Sequence, residues 1–128
     1  MSYVLHIWEQ PAGQPWPSSI EEANSALTSL SRKTTGQNPK FLALATRLTA
    51  RYPCICSPEA EEMPESEWAW SDGPLDGKTE HAKYSIGLNT DMLKKVRQFV
   101  FDQALQLELN IMDEQAGQVL LANGRLLF

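Results

Sequence analysis

Ala82-Lys83-Tyr84-Ser85-Ile86-Gly87-Leu88-Asn89-Thr90-Asp91 changes its period over the last three residues, and the change sets the fold of everything from Ala82 to Phe128. Up to Leu88 the residues alternate. Ala82, Tyr84, Ile86 and Leu88 face a core, and Lys83, Ser85 and Gly87 face outward, as in a half-buried strand. Asn89 or Thr90 then offers a helix cap, with Asp91 complementing the dipole in the first turn. Leu93, Val96, Val100, Ala104 and Leu107 follow at steps of three and four, a core stripe widened by Met92, Phe99 and Phe101. Lys94, Lys95 and Arg97 read as a solvated basic patch. Leu109 to Asp113 is a second strand, Glu114-Gln115-Ala116-Gly117 a turn, and Gln118 to Ala122 the returning hairpin strand. Asn123-Gly124 is a hairpin-turn dipeptide, and Arg125 to Phe128 leaves room for a last short strand.

Upstream, Ser2 to Trp8 reads as one more strand. Tyr3, Leu5 and Ile7 lie on one face and Val4, His6 and Trp8 on the other, so an interior place in the sheet is expected. Three prolines and a glycine between Pro11 and Pro17 then forbid regular structure. Ser18 and Ser19 each precede a glutamate by three residues, the spacing of a capping box. Ile20, Ala23, Leu27 and Leu30 make the buried stripe of the helix that follows. A second helix opens with Asn38 as cap and Pro39 at its first position, buries Phe41, Leu44, Ala45 and Leu48, and stops at Pro53. Lys40, Arg47 and Arg51 share another of its faces, placed either to bind an external anion or to meet acidic groups of the same chain.

The expected fold is therefore α+β. It is one domain over residues 1–128, in the order β-α-α-loop-β-α-β-β, with a single mixed sheet of about four strands and three helices mainly on one face. The strand–helix–strand unit from Ala82 predicts a parallel pair joined by a right-handed crossover. A chain of 128 residues with 42% apolar and 21% charged residues has the composition of an ordinary soluble domain. No apolar run approaches the ~20 residues that span a bilayer. The first residues lack the charged start and small-residue cleavage site of a signal peptide, which points to the cytoplasm.

Charge is segregated. The net charge is −5, yet Glu59, Glu61, Glu62, Glu65, Glu67, Asp72 and Asp76 all fall in an irregular stretch, residues 54–78, rich in proline and glycine. Setting those seven aside leaves nine acidic residues against eleven basic ones, so the whole negative excess sits in that stretch. A loop of this length in a small domain is usually functional or mobile. Trp68 and Trp70, embedded in it, serve either as a satellite core that pins the loop or as an exposed anchor for a partner.

Recognisable chemistry is missing. There is no G-x-S-x-G, no glycine-rich phosphate loop and no calcium-loop spacing. Cys54 and Cys56 stand too close for a structural staple and read as reduced thiols. Neither His6 nor His81 has ligand spacing to them, so no metal and no cofactor is expected. Cys54 or Cys56 with His81 is a nucleophile–base pairing that a fold can bring together. His6, on an interior strand, reads as a hydrogen-bonded core histidine. The acidic balance argues against nucleic acid as a partner.

Tyr3-Val4-Leu5-His6-Ile7-Trp8, Arg51-Tyr52-Pro53 and Leu109-Asn110-Ile111-Met112-Asp113-Glu114-Gln115 together resemble a family of small bacterial α+β proteins. Those proteins open with a Tyr-x-Leu-Tyr-x-Trp-like strand, carry a Trp in the middle loop and end with Gly-Leu-x-x-Tyr-Asp-Pro-Gln. Glu108 here takes the place of the helix-ending glycine, and Glu114 that of the proline before Gln115. Some small acidic proteins of this kind are immunity proteins, each neutralising one bacterial toxin. The missing chemistry, the cytoplasmic character and the seven carboxylates with embedded aromatics lead to the expectation of a non-catalytic protein-binding protein, most specifically an immunity protein against a basic, nuclease-like toxin domain. The expected contact set is Glu59, Glu61, Glu62, Glu65, Glu67, Trp68, Trp70, Asp72 and Asp76. The alternatives are a small enzyme or ligand binder with a pocket under the 54–78 loop, and an adaptor that forms homodimers or larger homo-oligomers.

Overall fold

The computed structural model describes residues 2–128. Five strands form one sheet in the order β2-β1-β3-β4-β5: β1 (Ser2–Trp8), β2 (Lys83–Asn89), β3 (Asn110–Asp113), β4 (Gln118–Leu120) and β5 (Leu126–Leu127). Three long helices cover it, α1 (Ile20–Ser31), α2 (Pro39–Arg51) and α4 (Leu93–Gln106), and a single turn of helix, α3 (Pro58–Glu61), lies in the acidic segment. The class is α+β, as the sequence predicts.

Every pairing in the sheet is antiparallel. β2 and β3 run in the same direction, as a crossover through α4 demands, but they are not neighbours. β1 lies between them, with Leu5 opposite Ile86 on one side and Asp113 on the other. The expected parallel pair is therefore split, and the sheet is antiparallel rather than mixed. The reason lies in β1 itself. Leu5 and Ile7 go to one core, Trp8 goes to another, and a strand buried on both faces needs a hydrogen-bonding partner along each edge.

The two cores lie on opposite faces. Leu5, Ile7, Ile86, Leu88 and Ile111 pack beneath Phe41, Leu44 and Leu48 of α2 and Val96, Val100 and Ala104 of α4. On the other face, Ala23, Leu27 and Leu30 of α1 cover Trp8, Met112, Val119 and Leu121. Ala82 joins this second group, not the core face of β2 expected for it, because the strand starts one residue later.

Local signals hold at the helix starts. Ser19 Oγ accepts from Glu22 N at 3.2 Å, while Glu22 reaches back to the backbone and hydroxyl of Ser18. Asn38 Oδ1 accepts from Lys40 N at 2.9 Å. At the end of α4, Leu109 N bonds Ala104 O (2.9 Å) and Glu108 N bonds Leu105 O (3.0 Å). This is a Schellman closure, which asks for a left-handed residue at Glu108. Glu108 adopts it, at φ 60. Its side chain, 81% exposed, gains little from Lys40 Nζ 3.9 Å away. Glu108→Gly is therefore expected to raise stability by about 1 kcal/mol, read as an upward shift of the thermal midpoint. A lower midpoint would show that the carboxylate contributes more than its backbone strain removes.

Candidate functional site

The acidic segment is built, not loose. Ser71 N donates to Gly87 O (3.0 Å) and Asn89 N to Ala69 O (2.9 Å), and Trp70 pairs with Leu88, so residues 69–71 lie along the outer edge of β2. Trp70 is 1% exposed, donates from Nε1 to Tyr52 O at 2.9 Å and meets the Tyr52 ring edge-on. Trp68 is half-buried and donates from Nε1 to Ala60 O at 2.8 Å, which fastens α3 to the chain that follows. Asn89 completes the clamp. Its Nδ2 donates to Trp68 O (2.7 Å) and Glu65 O (3.0 Å), while its Oδ1 accepts from Asp91 N in the 3₁₀ turn Thr90–Met92 that leads into α4. Sequence reasoning sees only the capping role of Asn89, since carbonyls some twenty residues upstream give no local signal.

On this frame Glu59, Glu61, Glu62, Glu65, Glu67 and Asp72 are exposed, and Asp76 is half-buried with Oδ1 accepting from Lys78 N at 3.0 Å. Among the described residues none of the seven lies within ion-pair distance of a basic side chain. The basic face of α2 is engaged elsewhere. Lys40 Nζ is 2.7 Å from Glu9, Arg47 donates to Gln106, and the Arg51 guanidinium lies 4.4 Å over the Tyr52 ring. Of the expected contact residues Trp70 is corrected: its indole fills the core between β2 and Tyr52, so no partner can reach it. Under the loop, Cys54, Trp70, Leu75 and Tyr84 belong to the main core.

Arg97 departs from the solvated patch expected with Lys94 and Lys95. Its Nε donates to Asp113 Oδ2 at 2.5 Å, its Nη2 to Gln118 at 2.7 Å, and its guanidinium lies 4.2 Å over the Phe101 ring. Asp113, 0% exposed, also accepts from the Tyr3 hydroxyl (2.5 Å) and from Ala116 N (3.0 Å). Burial first, and the Asp113 carboxylate behind it, push the Tyr3 hydroxyl above its ordinary pKa. This network ties β1, β3, α4 and β4 together, and four well-filled acceptor and donor positions mark it as structural.

His6 Nδ1 lies 2.9 Å from Ser85 Oγ, and Nε2 lies 3.5 Å from a Glu114 carboxylate. Burial, helped by the Lys83 charge and opposed by Glu114, holds the imidazole below its usual pKa. The order serine–histidine–carboxylate is that of a hydrolytic triad, but the three groups meet across neighbouring strands, where such pairs are ordinary cross-strand contacts. His81 pairs through its backbone with Thr34 and makes no hydrogen bond to Cys54 or Cys56. Among the described residues no group of three His, Cys, Asp or Glu is placed to hold a metal, and no helix is long and apolar enough to cross a membrane.

A cleft of about 380 Å³ lies between the 10–16 loop, Lys40, Glu108 and Asn123, with Trp16 on its wall. None of its lining belongs to the acidic segment. Two of its three charged groups are spent on each other: Glu9 takes both Lys40 Nζ and Asn38 Nδ2, and the Lys40 bond chiefly lowers the Glu9 pKa. Comparison of the chain with protein-family models, with curated proteins and with solved structures found no match.

Proposed function

We propose that this is a non-catalytic protein-binding protein whose acidic face, α3 and the 3₁₀ turn Glu65–Glu67, receives a basic protein partner. The finer proposal is an immunity protein that neutralises a nuclease-like toxin domain. One observation carries it: six exposed carboxylates without counter-ions among the described residues stand on a segment fixed by Asn89, Trp68 and Trp70. Like charges held together repel, so their clustering lowers the stability of the free protein and is relieved by a cationic partner. Preorganisation means that no loop has to be ordered on binding, and the half-buried Trp68 supplies an aromatic surface beside the charges.

The test is capture from a lysate of the source cell at low and at physiological salt, using the native chain and a variant with Glu61, Glu62, Glu65 and Glu67 changed to Gln. The native chain should retain a basic protein that arrests growth when expressed alone and not when co-expressed with its captor. The variant should stay folded, associate roughly tenfold more slowly at low salt and show a flatter salt dependence. Capture indifferent both to salt and to the four changes would sink the electrostatic proposal. Capture of a basic protein without protection of growth would sink only the immunity assignment.

A further inference from the structure

Cys54 and Cys56 occupy a place the acidic-face proposal leaves unused. Cys54 follows Pro53 at the end of α2 and is buried, whereas Cys56 is exposed. Between them the chain makes a turn: Ser57 N donates to Cys54 O at 2.9 Å, and Ser57 Oγ to the same oxygen at 2.7 Å. That turn closes residue 54 on residue 57, with Ile55 and Cys56 at its two central positions. The Cys54 sulfur accepts two backbone N–H groups, from Leu75 at 3.3 Å and from Cys56 at 3.5 Å. Gly73 packs beside this turn, where a Cβ would stand 2.9 Å from Ile55 Cγ1 and at ordinary contact, 3.6 Å, from Cys54 Sγ.

We infer that Cys54 and Cys56 form an exchange-competent dithiol, in which Cys56 takes up a small disulfide such as oxidised glutathione and Cys54 closes an internal Cys54–Cys56 bond. In the first step the Cys56 thiolate attacks one sulfur of the glutathione disulfide, breaks its S–S bond and releases one glutathione thiolate. In the second, the Cys54 thiolate attacks the Cys56 sulfur and displaces the second glutathione. Two electrons pass from the protein dithiol to the glutathione disulfide, and the two thiol protons pass to the released thiolates.

The environment divides these roles. Burial pushes the Cys54 thiol up, but hydrogen bonds from the Cys56 side chain and from the Leu75 and Cys56 N–H groups outweigh it and bring the pKa below the ordinary value. Donating to Cys54 raises that of Cys56. In the reducing direction an external thiol reaches only the exposed Cys56 sulfur, and Cys54 is then the leaving group. A leaving thiolate held by two N–H donors departs readily, so the bond is labile. The small ring closed by a Cys-x-Cys disulfide acts in the same sense. The same step weakens the acceptor of Leu75 N, so oxidation loosens residues 73–77.

The experiment is to incubate the reduced full chain with oxidised glutathione under native conditions, quench by alkylation and weigh the intact protein. Expected is loss of both thiols with no glutathione retained, reversed by a small dithiol. Cys54→Ser should stop with one glutathione on Cys56. Cys56→Ser should react at least about tenfold more slowly than the native chain. Faster amide exchange at Leu75 should accompany oxidation. A native chain that keeps both thiols free, or that accumulates as the glutathione adduct, overturns the inference without any variant. A Cys56→Ser chain that reacts as fast as the native one overturns it as well.

Discussion

Asp113→Ala is expected to destabilise the fold by about 3 kcal/mol, the lower end of the roughly 3–5 kcal/mol seen when one partner of a buried ion pair is removed. The lower end applies because Arg97 keeps 23% side-chain exposure and Gln118 remains to accept from it. Losing the carboxylate strands three donors at once, the Arg97 Nε, the Tyr3 hydroxyl and Ala116 N, on three different elements. Tyr3→Phe removes one donor and leaves the rest intact, so about 0.5–1.5 kcal/mol is expected for it. Arg97→Met added to Asp113→Ala removes the stranded charge, and the pair of changes should fall short of additivity by about 1 kcal/mol or more. Urea denaturation of the three variants and the double measures all of this. A loss under about 1 kcal/mol for Asp113→Ala would show that water, not the carboxylate, serves Arg97 and Tyr3.

Trp70→Ala should cost a similar amount, about 3–5 kcal/mol, since the indole is enclosed and its removal leaves a large cavity. The effect should also be regional. Residues 69–71 are held to the edge of β2 by the Ser71–Gly87 and Asn89–Ala69 hydrogen bonds, and both depend on the indole seating against Tyr52. Hydrogen exchange at Ser71 and Asn89 should accelerate more than at Ile7 or Ile111 in the sheet centre. Trp70→Phe keeps most of the packing but leaves the Tyr52 carbonyl without its donor, so about 1–3 kcal/mol is expected. If Asn89 stays as protected in Trp70→Ala as in the native chain, something other than the indole seats the segment.

What the residues announce in advance is whatever has a local cause. β1 is interior because both its faces are apolar. The caps at Ser19 and Asn38 follow from side-chain chemistry at fixed spacing. The positive φ of Glu108 is not among these, because a glutamate carries no local signal for a left-handed turn. Strand order is less legible: a crossover fixes the direction of β3 relative to β2 but not which strand slips between them. The acidic segment reads as irregular from its prolines, although Trp70 and Asn89 fix it through partners distant in sequence. Arg97 looks like Lys94 and Lys95 in composition. Two positions beyond Lys95 and three beyond Lys94, it faces the end of β3 and a buried carboxylate instead of water. Among the expected contact residues, the carboxylates are legible because no basic side chain among the described residues draws them inward. Trp70 is not, because the same indole serves equally as anchor or as core.

The interior place of β1, between β2 and β3, bears on how the molecule is made. The strand synthesised first pairs Leu5 with Asp113 on one side and with Ile86 on the other, so it emerges from the ribosome long before either neighbour exists. At about 5–20 residues per second, several seconds of translation separate it from those neighbours. Until then the nascent strand carries two open edges and an apolar sequence, the features by which chaperones detect an unfinished chain.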